Sequence, residues 1–138
     1  MRIEVAVSCL VLATLCTAVA ATEVAVVVEG VKPGEGDVRV GVYTRNEAFD
    51  GEPVVGHTLS GDSPKTELSI TGLEPGLYAV AAYQDQSGSE SLERNAFGVP
   101  REPFGFSHGA RGWMGPPDFD EAAFEVGEES LRITVPLE

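Results

Sequence analysis

A single all-β sandwich of about seven strands is the fold the sequence predicts, and three observations predict it. Apolar residues recur with period two in several short runs, and no long helical pattern competes with them. Turn chemistry interrupts these runs at Pro33-Gly34-Glu35-Gly36, Gly61-Asp62-Ser63-Pro64, Glu74-Pro75-Gly76 and Gly127-Glu128-Glu129. Finally, Gly72-Leu73-Glu74-Pro75-Gly76-Leu77-Tyr78 has the ingredients of a tyrosine corner. Pro75 presets one turn position, Gly76 supplies the positive φ that follows, and the Tyr78 hydroxyl reaches back to the turn backbone. Corners of this kind belong to Greek-key sandwiches.

In chain order, Val24, Val26 and Val28 alternate with Ala25 and Val27. Both faces of residues 22–29 are therefore apolar, which predicts a central strand covered on both sides. Val38, Val40 and Val42 alternate with Asp37, Arg39 and Gly41, and Leu68 and Ile70 with Glu67 and Ser69. Residues 77–83 are apolar throughout. Leu131, Ile133, Val135 and Leu137 alternate with Arg132, Thr134 and Pro136. Pro136 has no N–H to donate, so the last strand ends there or lies at an edge. Weaker patterns at 54–59 and 123–126 predict two further strands. Helix is confined to single turns near 46–49 or 120–123.

Residues 1–21 read as a cleaved export signal. Arg2 is followed by an almost wholly apolar stretch at 5–19, and Ala18-Val19-Ala20 fits the small-residue cleavage rule. The apolar run falls short of the roughly 20 residues a spanning helix needs. Leu15 precedes Cys16 where a lipid-modified Cys wants a small residue, so no membrane anchor is expected. Cleavage removes Cys9 and Cys16, the only two cysteines. Residues 22–138 then form one domain held by packing alone, in the periplasm or outside the cell, and expected to be monomeric. The net charge of −13, from 22 acidic and 9 basic side chains, repels phosphate backbones and anionic lipid. Nucleic acid is excluded as a partner on that ground.

Residues 84–121 break the pattern. They contain six Gly, four Pro and no alternating run, yet hold Phe97, Phe104, Phe106, Trp113 and Phe119, half of all the aromatics. Rings of that size need burial, so the segment is expected to be a long ordered excursion packed over one end or face of the sandwich. It also carries Arg94, Arg101 and Arg111 and no lysine. Arg101 and Arg111 are expected to pair internally with carboxylates; the alternative is an outward-facing site for an anionic ligand. Trp113-Met114 is either an exposed apolar contact or a plug over the sandwich end. Phe104, Phe106, Arg111 and Trp113 are the candidate contact residues for an unidentified envelope protein or glycan.

Residues 72–80, then Gly98-Val99-Pro100-Arg101-Glu102-Pro103-Phe104-Gly105-Phe106-Ser107, Ala110-Arg111-Gly112, and Gly115-Pro116-Pro117 with Phe119 and Ala122, carry a family resemblance. The chain resembles the bacterial secreted family known as domain of unknown function 2141. The resemblance implies an envelope or secreted location and a small sandwich of prealbumin-like or immunoglobulin-like order, similar to transthyretin-like and carboxypeptidase-regulatory-like modules. It implies no reaction. The family often carries an acidic, calcium-like loop after the Tyr-containing strand, of the form Asp-x-Asn-x-Asn-Gly-x-Leu-Asp. The corresponding stretch here is Asp85-Gln86-Ser87-Gly88-Ser89-Glu90-Ser91-Leu92-Glu93. Serines replace two ligand asparagines and Glu90 replaces the bend glycine. Asp85, Glu90 and Glu93 remain as candidate Ca²⁺ ligands, against a solvated acidic loop that binds nothing.

Gly105-Phe106-Ser107-His108-Gly109 matches Gly-x-Ser-x-Gly, but a nucleophile elbow needs a strand before it and a helix after it. Pro100 and Pro103 precede the motif, and Gly112 and Pro116-Pro117 follow it, so neither element is expected. His57 and His108 lack partners at metal-ligand spacing. Asp118, Asp120 and Glu121 fit the start of a short helix, where negative charge meets the positive dipole end. No catalytic residue is therefore expected. The function expected is a non-catalytic binding or accessory module of the envelope. A calcium-stabilised structural module is the alternative, and a hydrolase using Ser107 or the carboxylates a distant one.

Overall fold

The computed structural model describes residues 22–46, 49, 51–88, 102–112 and 116–138. The expected signal at 1–21, with Cys9 and Cys16, lies outside them. So do Glu90, Glu93, Arg94, Phe97, Arg101, Trp113 and Met114.

Eight strands form where the alternation and turn signals place them, with one more than expected. They are β1 (Glu23–Glu29), β2 (Asp37–Tyr43), β3 (Val55–Leu59), β4 (Lys65–Thr71), β5 (Gly76–Asp85), β6 (Phe104–Phe106), β7 (Phe124–Val126) and β8 (Leu131–Pro136). A 3-10 turn at Ser107–Gly109 and a one-turn helix α1 at Phe119–Ala122 complete the described elements. The extra strand is β6. Three residues are too few for period two to be visible, and Gly105 sits at the middle position.

The strands make two sheets that face each other. One has the order β4-β1-β8, and the other has the order β3-β2-β5-β6, with β7 also pairing β5. The chain changes sheet repeatedly, so spatial neighbours are distant in sequence: β1 runs antiparallel to β4 and parallel to β8. β1 is central, as its two apolar faces predict, and Val27 on its second face is buried along with Val24, Val26 and Val28. β8 both ends at Pro136 and forms the sheet edge. Beyond it, Leu137 donates its N–H to the Glu29 carbonyl at 2.8 Å. Glu138 exchanges two backbone hydrogen bonds with Phe104, at 3.0 and 3.3 Å, which join the two sheets at that margin.

The core between the sheets is built from small branched residues: Val24, Val26, Val28, Ile133 and Val135 from one, and Val38, Val40, Val42 and Val80 from the other. The tyrosine corner forms as expected, with Tyr78 Oη donating to the Glu74 carbonyl at 2.8 Å. Gly76 takes the expected positive φ (158°), and Gly72 before the turn does so as well (φ 83°).

The segment 84–121 starts later than its composition suggests, because β5 runs on through Gln84 and Asp85. Gln84 is fully buried, a place for polar groups only when their bonding is met. Its Oε1 accepts from Lys32 N–H at 2.9 Å, and its Nε2 donates to the carbonyls of Lys32 (2.7 Å) and Gly36 (3.1 Å). The side chain thereby pins the β1–β2 turn to β5. Of the rest of that segment, the described parts pack as expected: β6 extends the larger sheet, and α1 covers one end of its outer face. There Ala79, Phe106, Phe119 and Ala122 form a second apolar cluster. Among the described residues no helix is long and apolar enough to cross a membrane.

Candidate functional site: a ring-walled cavity on the outer face of the larger sheet

An antiparallel sheet with one face on the core normally turns polar side chains to water on the other. One row of the larger sheet's outer face does not. The sheet's registers place Gly56 opposite Gly41, Gly41 opposite Ala81, and Ala81 opposite Phe106, so one row across four strands is Gly56–Gly41–Ala81–Phe106. The next row is Thr58–Arg39–Tyr83–Phe104. The preceding row places Tyr43 opposite Ala79. Small residues form a floor, and rings rise beside it.

Above that floor is a cavity of about 550 Å³. Its walls are Tyr43, Phe49, Phe104, Phe106 and Tyr83. Phe49 locks the wall together edge to face, with centroids 5.5 Å from Tyr43 and 4.8 Å from Phe106. Phe104 meets Phe106 in the same way at 6.0 Å. Such pairs favour fixed relative orientations, so the wall is preformed. Glycine inside a strand marks a close approach of something to the backbone. At Gly41 the approach is internal: a Cβ there would stand 2.9 Å from Tyr43 Cε2 and 3.1 Å from Pro53 Cβ. At Gly56 it would meet only Pro53, at 3.7 Å, which leaves that end of the floor open.

Polar groups gather at one end. Arg39 donates from Nε to Asp85 Oδ2 at 3.1 Å and from Nη1 to Thr58 Oγ1 at 3.1 Å. The Asp85 carboxylate is buried, so the pair sits in a weakly screened environment and its charges largely cancel. Glu102, also buried, accepts the backbone N–H groups of Gln86 and Ser87 and so anchors the turn after β5 to the segment just before β6. Burial raises the Tyr83 hydroxyl above its ordinary value of 10.0, and the anions of Asp85 and Glu102 raise it further against the opposing Arg39. Burial also raises Tyr43. Both phenols stay protonated and can donate.

The structure brings Phe104 and Phe106 into this cavity but not Arg111. That guanidinium is exposed and pairs with the equally exposed Glu138 carboxylate beside a separate depression of about 270 Å³. Asp85 is occupied by Arg39, and the other two Ca²⁺ candidates lie outside the described residues. Among the described residues no group of three or more His, Cys, Asp or Glu side chains is placed to share a metal ion.

Ser107 is fully buried. Its Oγ accepts the N–H of Val80 at 3.0 Å and donates to the Ala122 carbonyl at 2.6 Å. Val80 lies between the stretches of β5 that pair β6 (Ala81–Tyr83) and β7 (Gly76–Tyr78), so the hydroxyl bridges a gap between two short strands. His108 (φ 62°) turns outward, its ring 6.3 Å from that of Phe124.

Sequence reasoning missed Arg39, Gly41, Tyr43, Gly56, Ala81 and Tyr83. The available signal was the pair of strand glycines, Gly41 and Gly56, each two residues from a ring or polar side chain on the same face.

No curated protein and no solved structure matches the chain. A family model described as "Uncharacterized protein conserved in bacteria (DUF2141)" matches residues 26–134, from β1 into β8 and across every strand that builds the cavity. The chain belongs to this bacterial family.

Proposed function

We propose that the protein is an exported, non-catalytic binding module of the cell envelope that holds a small ligand on the outer face of its larger sheet. The observation that carries this reading is a cavity of about 550 Å³ on the outer face of the larger sheet, lined by the small residues Gly56, Gly41 and Ala81 and walled by fixed aromatic rings. That volume falls in the roughly 300–1,000 Å³ range of small-molecule sites, which combine apolar walls with a few convergent polar groups. The Ser107 hydroxyl supports a non-catalytic role, since both of its bonds are given to backbone groups.

Thermal melts against a chemically diverse fragment library test the reading. The control is Gly56→Trp, chosen to put a ring into the open end of the floor: a Cβ at this position meets only Pro53 Cγ, at 3.7 Å. Ligands that stabilise the wild type should raise its Tm, while Gly56→Trp keeps its own Tm and loses the response. An absence of stabilising fragments, or hits that Gly56→Trp retains in full, would overturn it.

A further inference from the structure

The cavity's chemistry narrows the class of its ligand. Resting on the binding role above, we infer that it takes a neutral, hydroxyl-bearing ring: an uncharged sugar of one or two rings.

Three classes of small ligand compete, and the residues separate them. An anionic ligand needs an uncompensated cation. The described lining offers one guanidinium, Arg39, and it is held by the Asp85 carboxylate at 3.1 Å. The Tyr83 hydroxyl beside it is raised first by burial and then by the anions of Asp85 and Glu102, with Arg39 opposing. The whole chain carries −13. Anions are therefore disfavoured at long and at short range.

An organic cation would be drawn by the chain's net negative charge and by the ring faces. It would have to settle beside the Arg39 guanidinium, however, and the described lining holds no carboxylate to receive it. A purely apolar ligand would fill the ring-walled half but strand the other. Arg39, Thr58 and the Tyr83 hydroxyl occupy one row of the same face, and covering them with hydrocarbon costs their hydration without replacing it.

A neutral sugar matches both halves. Its ring has C–H faces that lie against Tyr43, Phe49 and Phe106, and edge hydroxyls that both donate and accept. Hydroxyls suit a rim with guanidinium, phenol and Thr hydroxyl donors, and the buried Asp85 keeps that rim electrically balanced. The open floor at Gly56 gives the ring an entry along the β3 edge.

Saturation-transfer NMR on the intact protein tests the assignment, using neutral hexoses and N-acetylglucosamine beside glucuronic acid, choline and hexanoate. The neutral sugars should give signals, strongest at ring C–H protons, with glucuronic acid, choline and hexanoate at least tenfold weaker binders. Gly56→Trp should abolish the sugar signals while leaving the amide spectrum folded. Glucuronic acid binding as well as its neutral counterpart would overturn the inference. Binding of choline or hexanoate alone would overturn the ligand class and leave the cavity as a binding site. Sugar signals that persist in Gly56→Trp would overturn the location. If no probe or fragment binds, both the ligand class and the binding role fall.

Discussion

The Tyr43 ring lies back over Gly41, close enough that a Cβ on residue 41 would stand 2.9 Å from Tyr43 Cε2 and 3.1 Å from its hydroxyl oxygen. One missing side chain on β2 therefore sets the position of a cavity wall two residues further along the same strand. Gly41→Ala forces the Tyr43 ring and Pro53 to move. The expected cost is about 1–3 kcal/mol, as for other overpacked sites. Urea unfolding measures the loss, and the Tyr43 ring resonances should shift. An unchanged midpoint with unchanged resonances would contradict the packing described.

Ser107→Ala tests the bridge between β6 and β7. It leaves the Val80 N–H and the Ala122 carbonyl without the hydroxyl that serves both. An unsatisfied buried group costs about 1–3 kcal/mol, so equilibrium unfolding should show a loss in that range. A nucleophile would behave in the opposite way, with stability kept and an activity lost.

Gln84→Leu should be the more damaging change. Leu keeps the bulk but abandons Lys32 N–H, the Lys32 carbonyl and the Gly36 carbonyl together. The expected loss is about 3 kcal/mol or more. Tyr78→Phe removes one bond to the Glu74 carbonyl and should cost about 1 kcal/mol. Denaturation of the two variants side by side checks the order, and amide exchange should quicken in the β1–β2 turn only for Gln84→Leu.

The tyrosines give a pH dependence with a definite sign. Tyr83 ionises above its ordinary 10.0 in the folded protein. A raised folded-state value means the unfolded chain releases this proton first. The associated stability is complete below the ordinary value and is lost as pH rises through the raised one. Melts collected from about pH 9 upward should show an alkaline fall in Tm that Tyr83→Phe reduces. A fall of equal size in that variant would assign it to other groups.

Much of the fold is legible in the sequence because the core is rich in valines at alternate positions, and period two survives in the strands of five residues or more except the edge strand β3 and β5, which is apolar from 77 to 83. The tyrosine corner is legible because Pro75 and Tyr78 stand at the required spacing. β6 is not, since three residues centred on Gly105 carry no period, and its place is set by pairing with β5 and by exchange with Glu138 from the far end of the chain. Phe104 and Phe106 stand out as rings in a loop-like segment. Their partners Tyr43 and Tyr83 look like ordinary strand residues until register sets them around the Gly41 floor. A cavity that depends on the pairing of four strands has no local signature, and only the glycines inside β2 and β3 hint at it.

A map of backbone amide shifts in the isotopically labelled protein, at saturation with its best-binding small ligand, locates the binding face. The largest changes are expected at Gly41, Gly56, Ala81 and Phe106, with the valines between the sheets unmoved. Changes centred instead on Arg111 and Glu138, or spread along the free edge of β4, would contradict that location.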